Sequence, residues 1–327
     1  MSTVRVGVAG LGYWGPNLAR NFAGIEGAQL AWLCDGDERA LARVAAQHPG
    51  AKTTGDLADL LADETLDAVV LATPVPTHAD LAVRVLEAGK HCFVEKPLAT
   101  SAADAERAVA AADAAGRILM VGHLLEYHPA VERLRSLIDE GELGDLFYVY
   151  GNRLNLGKLR ADENALWSLG AHDVSVALHL IGEEPVECVA HGASYVRGGV
   201  EDVVFCFLRF PSGVVAHLHL SWLDPHKERR LTVVGAKRMV TFDDMVLEGK
   251  LTLYDKGFDE DTHTWGEYIA RSGDIYSPRL PNTEPLRLEC THFIDCIREG
   301  RTPRSDGASG LRVVRVLEQL QRSLDAG

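Results

Sequence analysis

The sequence contains no apolar run that approaches the roughly 18 residues a membrane-spanning helix requires. A strand-like alternation of valines begins at residue 4, so residues 1–3 are too short to act as a secretory leader. The composition, 46% hydrophobic and 24% charged, is that of an ordinary globular protein. We therefore expect a cytoplasmic protein that does not associate with membranes.

Paired cysteines and an excess of basic residues are also lacking. The six cysteines have no CxxC spacing and lie mostly in apolar segments, which predicts buried, reduced thiols and neither a disulfide framework nor a zinc site. The net charge of −14 argues against nucleic acids and anionic membranes as partners, because both need a basic surface. A small anionic substrate held by a few local cations remains compatible with this charge.

The first part of the chain alternates short apolar runs with helical patterns. We predict strands at residues 4–9, 28–33, 51–53, 68–72, 91–94 and 118–121, with helices between them. This rhythm is typical of a doubly wound parallel sheet, the α/β Rossmann architecture. Because 327 residues exceed what one core usually supports, we predict two domains, residues 1–123 and 124–327.

The second part has strands in succession joined by short turns, which predicts an α+β domain with a large, mostly antiparallel sheet. Its expected strands are 146–154, 186–195, 202–210, 214–222, 229–235, 238–243 and 251–254. Helices are expected over 170–180 and as a pair within 285–323. Residues 256–282 lack periodicity and are predicted to form a long surface loop.

The first strand runs into a GxGxxG motif, Gly10-Leu11-Gly12-Tyr13-Trp14-Gly15, followed by a helical segment. In this context the motif predicts dinucleotide binding: Gly10 for the turn, Gly12 for close approach of a pyrophosphate, and Gly15 for helix-on-strand packing. Asp35 ends the second strand, about 20 residues after Gly15, where a carboxylate binds ribose hydroxyls. A carboxylate there disfavours a 2′-phosphate, so we predict NAD rather than NADP, a preference that Arg39 could soften.

The fifth strand runs out into Glu95-Lys96-Pro97. Residues at the carboxyl end of this strand face the predicted cofactor crevice, where an ammonium can exchange a proton or hold a developing alkoxide. From spacing alone, a solvated surface lysine is an equally good interpretation.

Several motifs together resemble the Gfo/Idh/MocA (glucose-fructose oxidoreductase/inositol dehydrogenase) family. They are GxGxxG, the acid after the second strand, Ala72-Thr73-Pro74 with Thr77-His78, Glu95-Lys96-Pro97 and the α+β second half. The resemblance implies that Lys96 and His172 form a catalytic acid/base pair. It also implies that the cofactor is contacted by Gly10, Gly12, Tyr13, Trp14, Gly15, Asp35, Thr73, Pro74, His78, Glu95 and Lys96.

Further strings resemble the branch of this family that acts at carbon 3 of nucleotide-linked amino sugars, such as UDP-N-acetylglucosamine or its uronate. The resemblance implies substrate contacts from Lys96, Arg153, Asn155, Arg160, Asn164, Trp167 and His172. Ser175 stands where inositol-type members carry an acid, which argues against a polyol substrate. Family analogy also implies a homodimer or homotetramer.

The sequence is also compatible with other functions. The scaffold also carries reductases of 3-keto deoxysugar nucleotides and glycosidases that use bound NAD transiently. A non-catalytic binding module or redox sensor is a further alternative. His217 and His219 share one face of a strand, but no third ligand is evident in the sequence, so no metal is predicted.

Overall fold

A computed structural model of the chain describes residues 3–157, 163–260 and 268–326. Its contacts divide the chain into two compact units, Met1–Tyr127 with Thr283–Arg315, and His128–Asn282 with Val316–Gly327. Each unit is built around one extended sheet. The predicted α/β class, with a parallel sheet followed by a mostly antiparallel one, is confirmed.

The first unit contains a six-stranded parallel sheet in the order β3-β2-β1-β4-β5-β6. Its strands are β1 (Val4–Ala9), β2 (Ala28–Cys34), β3 (Lys52–Thr54), β4 (Ala68–Leu71), β5 (His91–Glu95) and β6 (Leu119–Gly122). Its helices are α1 (Gly15–Gly24), α2 (Glu38–Ala45), α3 (Leu57–Ala62), α4 (His78–Glu87), α5 (Ala102–Ala115) and α8 (Pro285–Glu299), with 3₁₀ turns at Val75–Thr77 and Leu124–Tyr127. Most of these strands are almost continuously apolar because helices cover a doubly wound sheet on both faces, whereas the edge strand β3 is short, polar and largely exposed.

Helix α8 belongs to the first unit, although the predicted second domain, residues 124–327, included residues 283–315. The physical reason is an aromatic cluster: Phe293 of α8 meets Phe22 of α1 and Phe93 of β5 edge to face, with ring centroids 6.2 and 5.6 Å apart. All three rings are fully buried, and such pairs add roughly 0.5–1.5 kcal/mol each beyond area burial. Helix α9 (Gly307–Ala326) runs from the first unit into the second.

The second unit contains an eight-stranded sheet in the order β14-β13-β12-β11-β7-β10-β9-β8. The strands are β7 (Leu146–Leu156), β8 (Glu187–Ala193), β9 (Val203–Arg209), β10 (Val215–Ser221), β11 (Leu223–Gly235), β12 (Met239–Asp243), β13 (Leu251–Glu260) and β14 (Tyr268–Tyr276). Its helices are α6 (Pro129–Asp139) and α7 (Ala171–Ile181), which follows a π-helical turn at Leu166–Gly170. Pairing is antiparallel except between β7 and β10.

The predicted loop over residues 256–282 is wrong at residues 256–260 and 268–276, which are strands, and its residues 261–267 lie outside the described residues. Strand β13 continues to Glu260, and β14 pairs with it antiparallel, with Leu253 opposite Tyr276. Strand β14 lies at the sheet edge, and the side chains of residues 272–277 are exposed. Such a strand buries no apolar face and shows no alternation, so its backbone pairing leaves little trace in the sequence.

Candidate active site

The glycine-rich loop connects β1 to α1. Gly10 has φ +90°, and a Cβ there would meet the carbonyl carbon of Ala72 at 2.5 Å. A Cβ on Gly15 would meet the carbonyl oxygen of Gly10 at 1.9 Å. By contrast, no atom of the described residues lies within 4 Å of a Cβ on Gly12. Two glycines are therefore required to fold the loop, whereas Gly12 leaves open space beside it.

The surroundings of this loop fit a dinucleotide. Helix α1 starts at Gly15 with Pro16 in its first turn, and no side chain of the described residues caps it. Its first backbone N–H groups can therefore bind a phosphate. The carboxylate of Asp35, directly after β2, accepts hydrogen bonds from the backbone of Leu11 at 2.5 Å and Asp37 at 2.8 Å. Asp35 thus holds the loop against the end of β2, at the place expected for ribose recognition.

His78 connects the segments that follow β4 and β5. Its Nδ1 lies 2.8 Å from the carbonyl oxygen of Pro97, and its Nε2 lies 2.8 Å from that of Thr73. The ring is 1% exposed, and burial lowers its pKa. Both ring nitrogens are therefore engaged by backbone, and His78 positions the Thr73 and Pro97 segments. Its contact with a cofactor remains a prediction.

Lys96 follows β5 directly and is half-buried. Its backbone N–H donates to Oε2 of Glu95 at 3.3 Å, and the following peptide bond to Pro97 is cis. Glu95 is 9% exposed, and burial raises the pKa of its carboxyl to about 7, against the opposing charge of Lys96. A buried carboxyl thus lies beside the ammonium of Lys96, and the attraction between the two charges opposes the effect of burial on the carboxyl.

Most of the predicted cofactor residues lie at one edge of the parallel sheet. The carboxyl ends of β1, β2, β4 and β5 meet there because these strands run in the same direction. The residues that follow these ends are Gly10, Gly12, Tyr13, Trp14, Gly15, Asp35, Thr73, Pro74 and Lys96, and Glu95 closes β5. This edge is where ligands bind in open α/β sheets.

In the second unit, His172 lies in the first turn of α7, directly after the π-helical turn. Such turns are frequent at functional sites. The neighbouring Asp173 is buried and accepts a bidentate pair of hydrogen bonds from Arg153 of β7, with Nε–Oδ2 2.5 Å and Nη2–Oδ1 3.1 Å. This ion pair fixes the start of α7 against β7. Arg153 is 9% exposed, and its contact with substrate remains a prediction.

Asn164 and Trp167 stabilise the π-helical turn. The amide of Asn164 donates to Oε2 of Glu201 at 2.7 Å and to Oε1 of Gln321 at 2.9 Å, and its Oδ1 accepts from the backbone of Trp167. The indole of Trp167 donates to the same Gln321 oxygen at 3.1 Å. These hydrogen bonds hold the chain immediately before His172.

The remaining predicted substrate residues are less constrained. Asn155 lies half-buried in β7. Arg160, and the nearby Lys158, lie outside the described residues. Their roles remain predictions.

The sequence analysis missed three buried polar residues of the first unit. Glu289, Glu126 and His123 are 0%, 2% and 1% exposed. A signal for Glu289 was available, because it lies at helical spacing from Leu286 and Phe293, on the apolar face of α8. A carboxyl where the pattern requires an apolar residue indicates a role other than packing.

Within residues 3–157, 163–260 and 268–326, no cluster of three or more His, Cys, Asp or Glu side chains could hold a metal ion. In the same ranges no helix has the length and apolarity to cross a membrane.

Comparison with known proteins assigns the chain to a family. A model of an oxidoreductase family with an NAD-binding Rossmann fold matches residues 4–123, and a GFO/IDH/MocA C-terminal domain matches residues 131–241. The chain is 28% identical to a 4-carboxy-2-hydroxymuconate-6-semialdehyde dehydrogenase of Sphingobium sp., covering 98% of this chain and 99% of the relative. It is 27% identical to the scyllo-inositol 2-dehydrogenase (NAD(+)) of Bacillus subtilis, covering 92% and 88%.

A third relative is similar in both sequence and structure. The UDP-N-acetylglucosamine 3-dehydrogenase of Acidithiobacillus ferrooxidans is 29% identical, covering 100% of this chain and 99% of the relative. Its solved structure superimposes with a TM-score of 0.85 over 100% of this chain and 99% of that one, at 28% identity. The first domain, with its glycine loop and Asp35, is an NAD-binding Rossmann domain. The chain belongs to the Gfo/Idh/MocA family of oxidoreductases.

Proposed function

We propose that this protein is an NAD-dependent dehydrogenase that acts at C3 of a UDP-linked amino sugar. The proposed redox activity rests on the position of Lys96, which lies at the carboxyl end of β5 and on the same sheet edge as the glycine loop. The choice of substrate rests on similarity to a UDP-N-acetylglucosamine 3-dehydrogenase over the full lengths of both chains. Relatives that act on inositol or a muconate semialdehyde make the substrate the part that most needs a test.

The proposed chemistry divides between two side chains. Bound NAD supplies the acceptor for the hydride that leaves the sugar carbon. We propose that His172 removes the proton from the hydroxyl on that carbon, and that the ammonium of Lys96 holds the oxygen as it gains carbonyl character. In the reverse direction His172 returns the proton. The ion pair of Asp173 with Arg153 supports this role because it fixes the backbone next to His172.

A substrate series tests the proposed specificity. We expect kcat/KM with UDP-N-acetylglucosamine, or with its uronate, to exceed that with free N-acetylglucosamine by at least about a hundredfold. A nucleotide anchor that supplies ~2.8 kcal/mol of binding gives this factor. The measurement is the initial rate of NADH formation, with myo-inositol as the comparison substrate. Preferential oxidation of myo-inositol would contradict the nucleotide-sugar assignment.

A further inference from the structure

Glu289 is the most deeply buried carboxyl of α8. It is 0% exposed, and neither of its oxygens receives a hydrogen bond from any described residue. It lies among the apolar residues Leu286, Cys290 and Phe293 on the helix face that packs into the first unit. A carboxylate without donors in such surroundings costs several kcal/mol, so the group retains its proton. The pKa of Glu289 is accordingly raised well above its ordinary value, mainly by burial.

A protonated carboxyl is itself a donor and needs an acceptor. The two groups whose negative charge acts on Glu289 are Glu95 and, more weakly, Glu126. Glu95 closes β5 opposite Gly122 of β6, and its Oε2 lies 3.3 Å from where a Cβ on Gly122 would stand. The same Cβ would lie 3.3 Å from the ring of Phe93, whose centroid is 5.6 Å from that of Phe293, one turn along α8 from Glu289. Glu95 therefore lies on the side of β5 that α8 covers, where its carboxylate can accept the proton of Glu289.

A second buried group marks the same region as polar. His123 follows β6 directly and is 1% exposed, and neither of its ring nitrogens has a hydrogen-bond partner among the described residues. Burial, together with the charge of Lys96, lowers its pKa to about 3, so the ring is neutral. The titratable groups whose charges act on Glu289, or on which its charge acts, are Glu95 at the end of β5, Glu126 and Tyr127 in the 3₁₀ turn, and Cys290 on α8 itself. His123 and Lys96 interact with each other beside this group.

We propose that Glu289 is a neutral carboxylic acid that donates its proton in a hydrogen bond to Glu95, and that this bond keeps Glu95 anionic beside Lys96. Glu289 is then a positioning residue: it acts on the reaction through Glu95, which balances the ammonium that holds the substrate oxygen. This inference rests on the proposed function for the role of Lys96. The protonated state of Glu289 does not depend on it.

The first test is the infrared spectrum of the full-length protein without substrate. We expect a carboxylic-acid C=O band that persists above pH 7 and disappears in Glu289→Gln. The exposed carboxyl of Glu87 provides the matched control, because Glu87→Gln should leave the band unchanged. If Glu289→Gln retains the band, Glu289 is not the proton carrier and the proposal is overturned.

The second test is the pH profile of kcat/KM for oxidation of the preferred substrate. Glu289→Met removes the donor, so the pKa of Glu95 should rise and the acidic limb should move up by about 1–3 pH units. Glu289→Gln still donates through its amide and should leave the limb within about 0.5 unit of the original enzyme. An acidic limb that does not move in Glu289→Met overturns the positioning role. If the original protein oxidises none of the substrates but shows the carboxylic-acid band of Glu289, only the proposed function is contradicted.

A purely structural role for Glu289 predicts a different pattern. Replacing a buried polar group that lacks donors with an apolar residue of similar volume is usually neutral or stabilising, so Glu289→Met should fold. Glu289→Leu serves the same purpose if the Met variant does not fold. A fall in thermal stability without a shift of the limb in both apolar variants would identify packing as the only role and overturn the proposal.

Discussion

Replacing Lys96 or His172 with alanine should lower kcat by about 10²–10⁴-fold while NAD still binds. This range is what a positioned acid or base contributes in typical enzymes, because it transfers or holds charge only as the bond changes. The loss should appear in kcat and in kcat/KM to similar extents, since both side chains act on the transition state. The measurement is steady-state NADH formation, with NAD affinity obtained separately by calorimetric titration.

Two exposed residues provide matched controls. Lys52 is a lysine of the same unit whose side chain is 61% exposed, and His191 is an exposed histidine on β8. Lys52→Ala and His191→Ala should keep kcat within about twofold, because exposed substitutions away from a site seldom matter. Near-normal turnover in Lys96→Ala and His172→Ala would refute the assignment of the acid/base pair.

The second large effect concerns the glycine loop, where two neighbouring glycines should respond in opposite ways. Gly15→Ala places a methyl 1.9 Å from the carbonyl oxygen of Gly10, a backbone atom that cannot move aside. We expect it to destabilise the protein by about 3 kcal/mol or more, at the upper end of overpacking effects. For a cooperative unit the size of the first one, about 160 residues, that corresponds to a fall in Tm of roughly 6–12 °C.

Gly12→Ala should instead leave Tm unchanged, because the new methyl meets no atom of the described residues within 4 Å. It should raise the Kd for NAD by at least about tenfold, or ~1.4 kcal/mol, since the methyl occupies the space through which the pyrophosphate approaches the loop. Thermal unfolding and NAD titration of both variants separate the two roles. Equal NAD affinity in Gly12→Ala and the original protein would contradict the position assigned to the pyrophosphate.

The parallel sheet could be predicted from sequence because most of its strands are short, apolar and separated by helices. The predicted strand 4–9 coincides with β1 (Val4–Ala9), and the predicted strand 91–94 falls within β5 (His91–Glu95). The burial of these strands on both faces leaves continuous apolar runs between polar turns. The glycine motif was informative for the same reason: the chain has little freedom where Gly10 and Gly15 approach other backbone atoms.

The rest depends on interactions between residues far apart in sequence. Strand β14 forms by backbone pairing with β13, which places no requirement on exposed side chains. Helix α8 joins the first unit through Phe293, whose partners Phe22 and Phe93 lie some two hundred or more residues earlier. The ion pair of Arg153 with Asp173 could not be predicted from sequence either, because in the sequence Arg153 resembles any cationic residue near the end of a strand.

Transfer of deuterium from the C3 position of UDP-N-acetylglucosamine to NAD is the most direct test of the proposed reaction. With substrate deuterated only at C3, mass spectrometry of the cofactor should find one deuterium in the NADH that forms, and the Lys96→Ala variant should form it about 10²–10⁴-fold more slowly. Unlabelled NADH, or turnover of the sugar without any net reduction of NAD, would contradict hydride transfer from C3.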